Sequence, residues 1–322
     1  INLINMNKNV LIIEQRDTFG GIWNDALEIS CLQTDIQFYK INGHDYPNNS
    51  PRFPNKAQML AYFAKAILRY NLLSKCTIKF NTTATNFSKQ VINNKIGWKI
   101  VTTDIYKTQS YINTHHILFC SGRNTIPKIP IHLNQSQLHL YQNKIIHSKH
   151  FNQYLKQNSL NLQSTNRIVI VGNGASGCDI LNYINQYGLQ HPLQQLEVTM
   201  FYRSPKYYVD RYIFGVPGSF ILTKQFMRFF EKCPDKVNTF LIWLSNIFVF
   251  KNYLDLPHSK INSSNIVGTM IINQLLKAQS SPKTNYIEQL SFVYSNEQIQ
   301  SISTINHNNK SYIETDLGDL ID

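Results

Sequence analysis

Short apolar runs closed by turn residues, interleaved with stretches of helical spacing, predict an α/β protein. Asn9 to Glu14 (NVLIIE) is a brief apolar run ending in an acid and reads as a buried parallel strand. Phe19-Gly20-Gly21 breaks it. Asn55 to Tyr70 carries apolar residues at helical spacing behind an Asn cap, and Thr77 to Phe87 and Trp98 to Thr103 read as strands. His116 to Cys120 (HILFC) reads as another buried strand, closed by Ser121-Gly122 and then by Pro127 and Pro130. From Arg167 the pattern restarts as a complete β-α-β unit: strand Ile168 to Val171, Gly-rich turn, helix from about Ala175 to Tyr187, strand Leu196 to Tyr202. Beyond Arg211 the spacing is helical to about Tyr253, then loop-like from Pro257 to Ser264, with short strands such as Ser291 to Val293 near the end.

Length and composition narrow the class. With 322 residues, 43% hydrophobic and 16% charged, the chain is a folded protein long enough for two domains. Lys and Arg outnumber Asp and Glu by 31 to 19, a formal charge of +12 that suits an anionic partner. The cations are spread thinly, with no basic run and no aromatic-interleaved stripe, so the pattern suits a phosphate-bearing cofactor and not a nucleic acid. Cys31, Cys76, Cys120, Cys178 and Cys233 stand far apart without a C-x-x-C, which argues against a dithiol centre or a metal site and for a reducing, intracellular setting, cytoplasmic or endoplasmic-reticulum-associated. No N-terminal signal pattern is visible, and the apolar stretch Phe240 to Phe250 is too short to span a bilayer; it reads as a buried helix or a membrane-apposed one.

The chemistry concentrates in Gly172-Asn173-Gly174-Ala175-Ser176-Gly177, which follows a strand and opens a helix as a dinucleotide fingerprint requires. The first glycine makes the turn, the second lets backbone approach a pyrophosphate, and the third lets helix pack on strand. Where an NAD site would carry an acid after the second strand, Arg203 stands instead, with Lys206 nearby. A guanidinium there can hold a 2′-phosphate bidentately, which favours NADPH, or is a solvated residue after a strand. Glu14 ends its strand as a ribose-binding acid would, yet no glycine turn precedes it; that turn would lie about twenty residues earlier, so the chain reads as a fragment or truncated product.

Further stretches carry a family resemblance. Glu14 followed by Phe19-Gly20-Gly21-Ile22-Trp23 resembles the E-x5-GG-x-W segment of flavin-containing monooxygenases. Leu32-Gln33-Thr34, Phe38-Tyr39 and Asp45-Tyr46-Pro47 resemble the family's LQT, FY and D-[FY]-P stretches, and Arg52-Phe53-Pro54 with the Tyr62 helix resembles its Y-P and YL helix. Ser121-Gly122, Pro127 and Pro130 look like its link between nucleotide domains. Tyr141 to Phe151 is similar to the signature F-x-G-x-x-x-H-x-x-x-[FY], with Tyr141, Asn143, His147, Ser148 and Phe151 at the motif and Asn143 where the family has Gly. Pro205 to Pro217 looks like the stretch after the NADPH strand, and the chain stops at Leu320-Ile321-Asp322, where an A-T-G-Y segment is expected to begin.

The resemblance implies two Rossmann-like dinucleotide-binding domains, the FAD domain incomplete at its N-terminus and the NADPH domain inserted. The expected division is 1–130 for FAD, 131–290 for NADPH with a helical insertion, and 291–322 as the return segment. It implies FAD contacts at Glu14, Gly20, Gly21, Trp23, Gln33 and Thr34, and NADPH contacts at Gly172, Asn173, Gly174, Ser176, Gly177 and Arg203. Asp35 stands at the position of the family's active-site Asn. The implied reaction inserts one oxygen atom from O2 into a nitrogen- or sulfur-containing small molecule through a flavin C4a-hydroperoxide. A Baeyer–Villiger oxygenase and an inactive NADP-binding remnant are the competing readings.

Overall fold

The structure, a computed structural model, describes residues 2–122, 126–127, 145–157, 167–190, 196–202, 207–209, 211–213, 215–221, 225, 228, 266–268, 287–294, 303–307, 310–314 and 320–321. The chain divides into two compact units, one of residues 1–24, 40–50 and 56–126, the other of residues 25–39, 51–55 and 127–322.

In the first unit, β1 (Leu11–Ile13) pairs in parallel with β2 (Thr77–Lys79), Leu11 opposite Thr77, and helix α1 (Lys56–Arg69) lies between them in sequence. One face of α1 is buried through Met59, Tyr62 and Ala66, spaced three and four apart, as an amphipathic helix on a core requires. Tyr62 ties down the loop before it: its hydroxyl accepts the Ile41 N–H at 2.8 Å and donates to the His44 carbonyl at 2.7 Å, while its ring stacks on Tyr46 at 3.7 Å. A meander of β3 (Thr82–Ile92), β4 (Lys95–Asp104) and β5 (Gln109–Thr114) completes the unit. Its first hairpin turns on Asn93 and Asn94, with φ of 48° and 58°, the left-handed pair that matches strand twist and that Asn tolerates.

Two strand expectations change here. The strand expected from Thr77 to Phe87 is broken at Asn81, whose φ of 51° turns the chain out of one sheet and into the next. The His116 to Cys120 run, expected to be a buried strand, is not one. Leu118 and Phe119 are 71% and 67% exposed, and no strand pairs with the run among the described residues. An apolar run becomes a buried strand only where a neighbour takes its backbone groups. Phe119 instead packs edge-on against Phe87 at 5.0 Å.

The second unit is built on α2 (Ser148–Gln157), β6 (Arg167–Val171), α3 (Ala175–Gln190), β7 (Leu196–Tyr202) and β8 (Ile287–Tyr294). The three strands form one parallel sheet in the order β8-β7-β6, with Ile170 opposite Met200 and Val198 opposite Leu290. Ile170, Val198 and Met200 are buried on one face of the sheet and Cys178, Leu181 and Ile184 on the helix, while Phe201 is buried on the other face of β7. Each such side chain contributes about 1.5–3 kcal/mol of burial, which is what holds α3 on the sheet. The strand expected at Ser291 to Val293 lies within β8. After Arg211, where helical spacing is expected, the described chain has the short strands Tyr212–Ile213 and Val216–Pro217 before the four-residue helix Gly218–Ile221; Phe240 to Phe250 lies outside the described residues. Among the described residues no helix is long and apolar enough to cross a membrane.

Two stretches of early sequence, 25–39 and 51–55, also belong to the second unit. They run against each other through a Cys31/Asn55 bridge and through the Leu32 N–H to Pro54 and Ile36 N–H to Arg52 carbonyl bonds, each 2.9 Å.

Replacing Tyr62 with Phe removes one hydroxyl that serves two backbone groups, and is expected to lower unfolding free energy by about 1–3 kcal/mol. Chemical denaturation of the variant checks this; an unchanged midpoint would assign the loop's order to the Tyr46 stack instead.

Candidate functional site

The Gly172–Gly177 turn joins β6 to α3 by backbone alone. Gly172 has a φ of 105° and donates its N–H to the Phe201 carbonyl at 2.8 Å, so the turn is fastened to the neighbouring strand. A Cβ at Gly177 would lie 2.1 Å from the Gly172 carbonyl oxygen, a distance that excludes every side chain. A Cβ at Gly174 would meet nothing within 4 Å. The second glycine therefore faces open space at the start of a 16-residue helix, whose first N–H groups and positive potential suit a phosphate. Asn173 is buried and Ser176 exposed on the same turn. A dinucleotide pyrophosphate fits this cradle because the missing side chain leaves its approach clear.

Behind the turn, burial governs the ionisable groups. The Cys178 thiol is pushed up to about 12 by burial and by the neighbouring Asp179 charge, so it stays protonated at neutral pH. Asp179 is raised above the ordinary carboxyl range by burial, opposed by a 2.6 Å hydrogen bond from the Ser30 hydroxyl and by the Arg211 charge. Arg211 lies over the Phe53 ring at 5.3 Å, and its carbonyl accepts the Gly218 N–H at 2.8 Å.

Asp35 is fully buried, and both its oxygens are engaged: Oδ1 accepts the Gln37 N–H at 2.9 Å and Oδ2 meets the Arg52 guanidinium at 3.0 Å. The Asp35 N–H donates to the Ser219 hydroxyl at 3.3 Å, and the Arg52 guanidinium lies 5.9 Å from the centre of the Phe220 ring. Gln33 is half-buried and Thr34 exposed on the same segment.

The stretch ahead of the turn runs into helix α2. The His147 ring accepts the Lys149 N–H on Nδ1 at 3.1 Å, capping the helix start, and burial with the nearby His150 and Lys149 charges lowers its pKa, which keeps that nitrogen free to accept. Ser148 begins the helix, and Phe151 is buried edge-on to Tyr183 of α3 at 5.8 Å. Tyr141, Asn143 and Arg203 lie outside the described residues.

In the first unit, Glu14 stands just past β1, its N–H on the Lys79 carbonyl and its Oε1 accepting the Arg16 N–H, each at 2.9 Å. Gly20 has a φ of 125°, and a Cβ there would lie 2.6 Å from Leu60 Cδ2; Gly21 follows at 52°. Trp23 closes the turn with its N–H on the Gly20 carbonyl at 3.1 Å. No group of three or more His, Cys, Asp or Glu side chains that could hold a metal occurs among the described residues.

Sequence reasoning passed over Ser30 and Asp179. The available signal was an acid inside the apolar stretch Cys178–Leu181 of an otherwise buried helix face, which demands a partner.

Comparison with known proteins gives a consistent result. The family described as flavin-binding monooxygenase-like matches residues 22–297. Flavin-containing monooxygenase 5 of Rattus norvegicus is 24% identical over 178 residues, 52% of this chain and 32% of the relative. Thiol-specific monooxygenase of Saccharomyces cerevisiae is 25% identical over 179 residues, 51% of this chain and 38% of the relative. The chain thus spans well under half the length of these curated relatives. Among solved structures, the FAD-bound cadaverine monooxygenase of Erwinia amylovora aligns with a TM-score of 0.54 at 14% identity, over 96% of this chain and 68% of that one, a likeness of α/β fold.

Asp179 gives a pH-dependent expectation. A carboxyl whose folded pKa is raised adds stability below its unfolded value near 3.8, and that stability is lost as pH rises through the folded pKa. Asp179→Asn, which can still accept from Ser30, is expected to melt at or above the parent temperature at pH 7, the advantage shrinking toward pH 4. Thermal melts across that range check the sign, and an advantage that grows on acidification would refute it.

Proposed function

The chain belongs to the flavin-binding monooxygenase-like family, and from that premise we propose that it takes part in an NADPH- and FAD-dependent oxygenation of a nitrogen- or sulfur-containing small molecule. The observation that carries the reading is the Gly172–Gly177 turn, where one glycine leaves space for a pyrophosphate and another permits the strand–helix approach that exposes the helix start. The family's cofactors are FAD and NADPH; bound flavin would accept hydride from the nicotinamide and activate O2, chemistry that side chains do not supply.

This chain's residues would bind and orient. Gly172 would shape the turn, its N–H being held by the Phe201 carbonyl, and amides from Asn173 to Gly177 would hold the pyrophosphate, with Asn173 and Ser176 beside it, while Arg203 would choose the 2′-phosphate of NADPH over the hydroxyl of NADH. Glu14 would accept from a ribose hydroxyl at the end of β1. Gly21, where an added Cβ would meet nothing within 4 Å, would present bare backbone to the flavin dinucleotide, with Gly20 and Trp23 forming its turn; Gln33 and Thr34 are proposed as further flavin contacts. Asp35, at the position of the family's active-site Asn, would act by holding Arg52 and the 31–36 segment, since both its oxygens are occupied. Tyr141, Asn143, His147, Ser148 and Phe151 would seat the helix that packs on α3. Residues 1–130 are assigned to flavin, 131–290 to NADPH and 291–322 to the return, with O2 and the small molecule as reactants.

Purified chain reconstituted with FAD is expected to show flavin absorbance and to oxidise NADPH faster when an amine or thioether is added; no flavin uptake overturns the reading. Arg203→Ala is expected to weaken NADPH at least about tenfold more than NADH, since a charge-assisted bidentate contact is lost. Equal losses would remove its role. Gly174→Val has room in the protein, so it is expected to keep the parent melting temperature yet abolish NADPH binding, whereas Gly177→Ala is expected to unfold the turn. Retained binding in Gly174→Val, measured by calorimetry, would empty the cradle of its assigned ligand.

A further inference from the structure

Ser30 and Asp179 stand 149 residues apart and meet at 2.6 Å inside one unit. Three segments converge on this carboxyl: the early-sequence stretch through Ser30, the nucleotide helix through Asp179 itself, and the chain after β7 through Arg211. Ser30 is buried, its N–H on the Leu27 carbonyl at 3.0 Å and its hydroxyl donating to Asp179 Oδ2. The early-sequence stretch is anchored elsewhere in the unit by Asp35 to Ser219 and by Phe53, which packs edge-on against Tyr212 at 5.4 Å. It is therefore a fixed support and not a loose strap.

Asp179 lies two residues past Gly177, and the first turn of α3 closes with the Cys178 N–H on the Gly174 carbonyl at 3.0 Å. Between Gly177 and Gly172 there is no slack, because even a methyl would meet the carbonyl at 2.1 Å. A roll or tilt of α3 must therefore move the Gly172–Gly177 backbone with it. We propose that Ser30 and Asp179 form a latch that sets the pose of the dinucleotide turn, making Ser30 a positioning residue of the NADPH site although it stands in sequence beside the Gln33-Thr34 stretch that resembles a flavin contact. This rests on the reading of the turn as that site. The physical reason is preorganisation: amides already aimed at a phosphate bind it without a reorientation cost, and an α3 free to roll would incur that cost on every binding event. The raised pKa of the Asp179 carboxyl fits the same geometry, with Ser30 and Arg211 the groups that pull it down and the neutral Cys178 thiol beside it.

Titration calorimetry with NADP+ and amide hydrogen exchange, both on the full chain, test the latch. Ser30→Ala leaves a buried acceptor without its donor, and is expected to weaken NADP+ by about tenfold and to speed exchange in residues 29–36 and the first turn of α3. Ser30→Thr keeps a hydroxyl and is expected to restore both. Parent-like affinity and exchange in Ser30→Ala overturn the latch, as does a Thr variant that falls as far as the Ala one. If Ser30→Ala does not fold, Ser30→Cys, a weaker donor, is expected to give a partial loss, and a full parent value there overturns the proposal. If the parent chain takes up no NADP+, the proposed function fails, and the exchange arm still decides the latch: faster exchange of α3 supports it and unchanged exchange overturns it.

Discussion

The packing of α3 on β6 is set by a contact with no room for a side chain, the one between residue 177 and the carbonyl of Gly172. Because the Cβ position at Gly177 is 2.1 Å from that oxygen, helix and strand approach as closely as two backbones can. The described β-α-β core of the second unit is built on this approach. Leu181 and Ile184 on the helix and Val198 and Met200 on β7 are buried, and Gly172 reaches sideways to the Phe201 carbonyl. Such burial is non-directional and would tolerate many helix positions. The backbone contact selects one of them, and with it the direction in which the first helical amides point.

Polar ties then fasten distant sequence to this core. Asp35 and Arg52 pair across the 31–36 and 52–55 stretches, Asp35 reaches Ser219, and Ser30 reaches Asp179. A half-exposed partner such as Arg52, 46% exposed, makes the first of these worth less than a fully buried pair, yet removing Asp35 would strip the cap from the Ile36–Phe38 turn as well. The result is that early sequence is shared between units. Glu14, Gly20, Gly21 and Trp23 belong to one unit and Gln33, Thr34 and Asp35 to the other.

The β-α-β core was legible because each of its signals is local. The run Ile168–Val171, the glycines and the spacing of Ala175 to Tyr187 encode strand, turn and helix without reference to anything distant, and the observed elements differ from expectation by about three residues at most. His116 to Cys120 misled for the opposite reason: its composition is that of a buried strand, but a strand needs a partner that the run itself does not contain. Asn81 broke a strand through a left-handed backbone that its neighbours did not advertise. Among the candidate site residues, the glycines carried their geometry in their identity. Ser30 and Asp179 did not, because a hydroxyl and a carboxylate become a pair only once the chain has brought them together.

Cys178 has a consequence for the chain's tolerance of oxidants. Peroxides and disulfides attack the thiolate, and a thiol held at a pKa of about 12 offers almost none at physiological pH. The Cys120 sulfur, at the end of the His116 run, is exposed to solvent. Where oxidants are present, the Cys120 sulfur is open to them, and the core that shapes the turn keeps the Cys178 sulfur in reduced form.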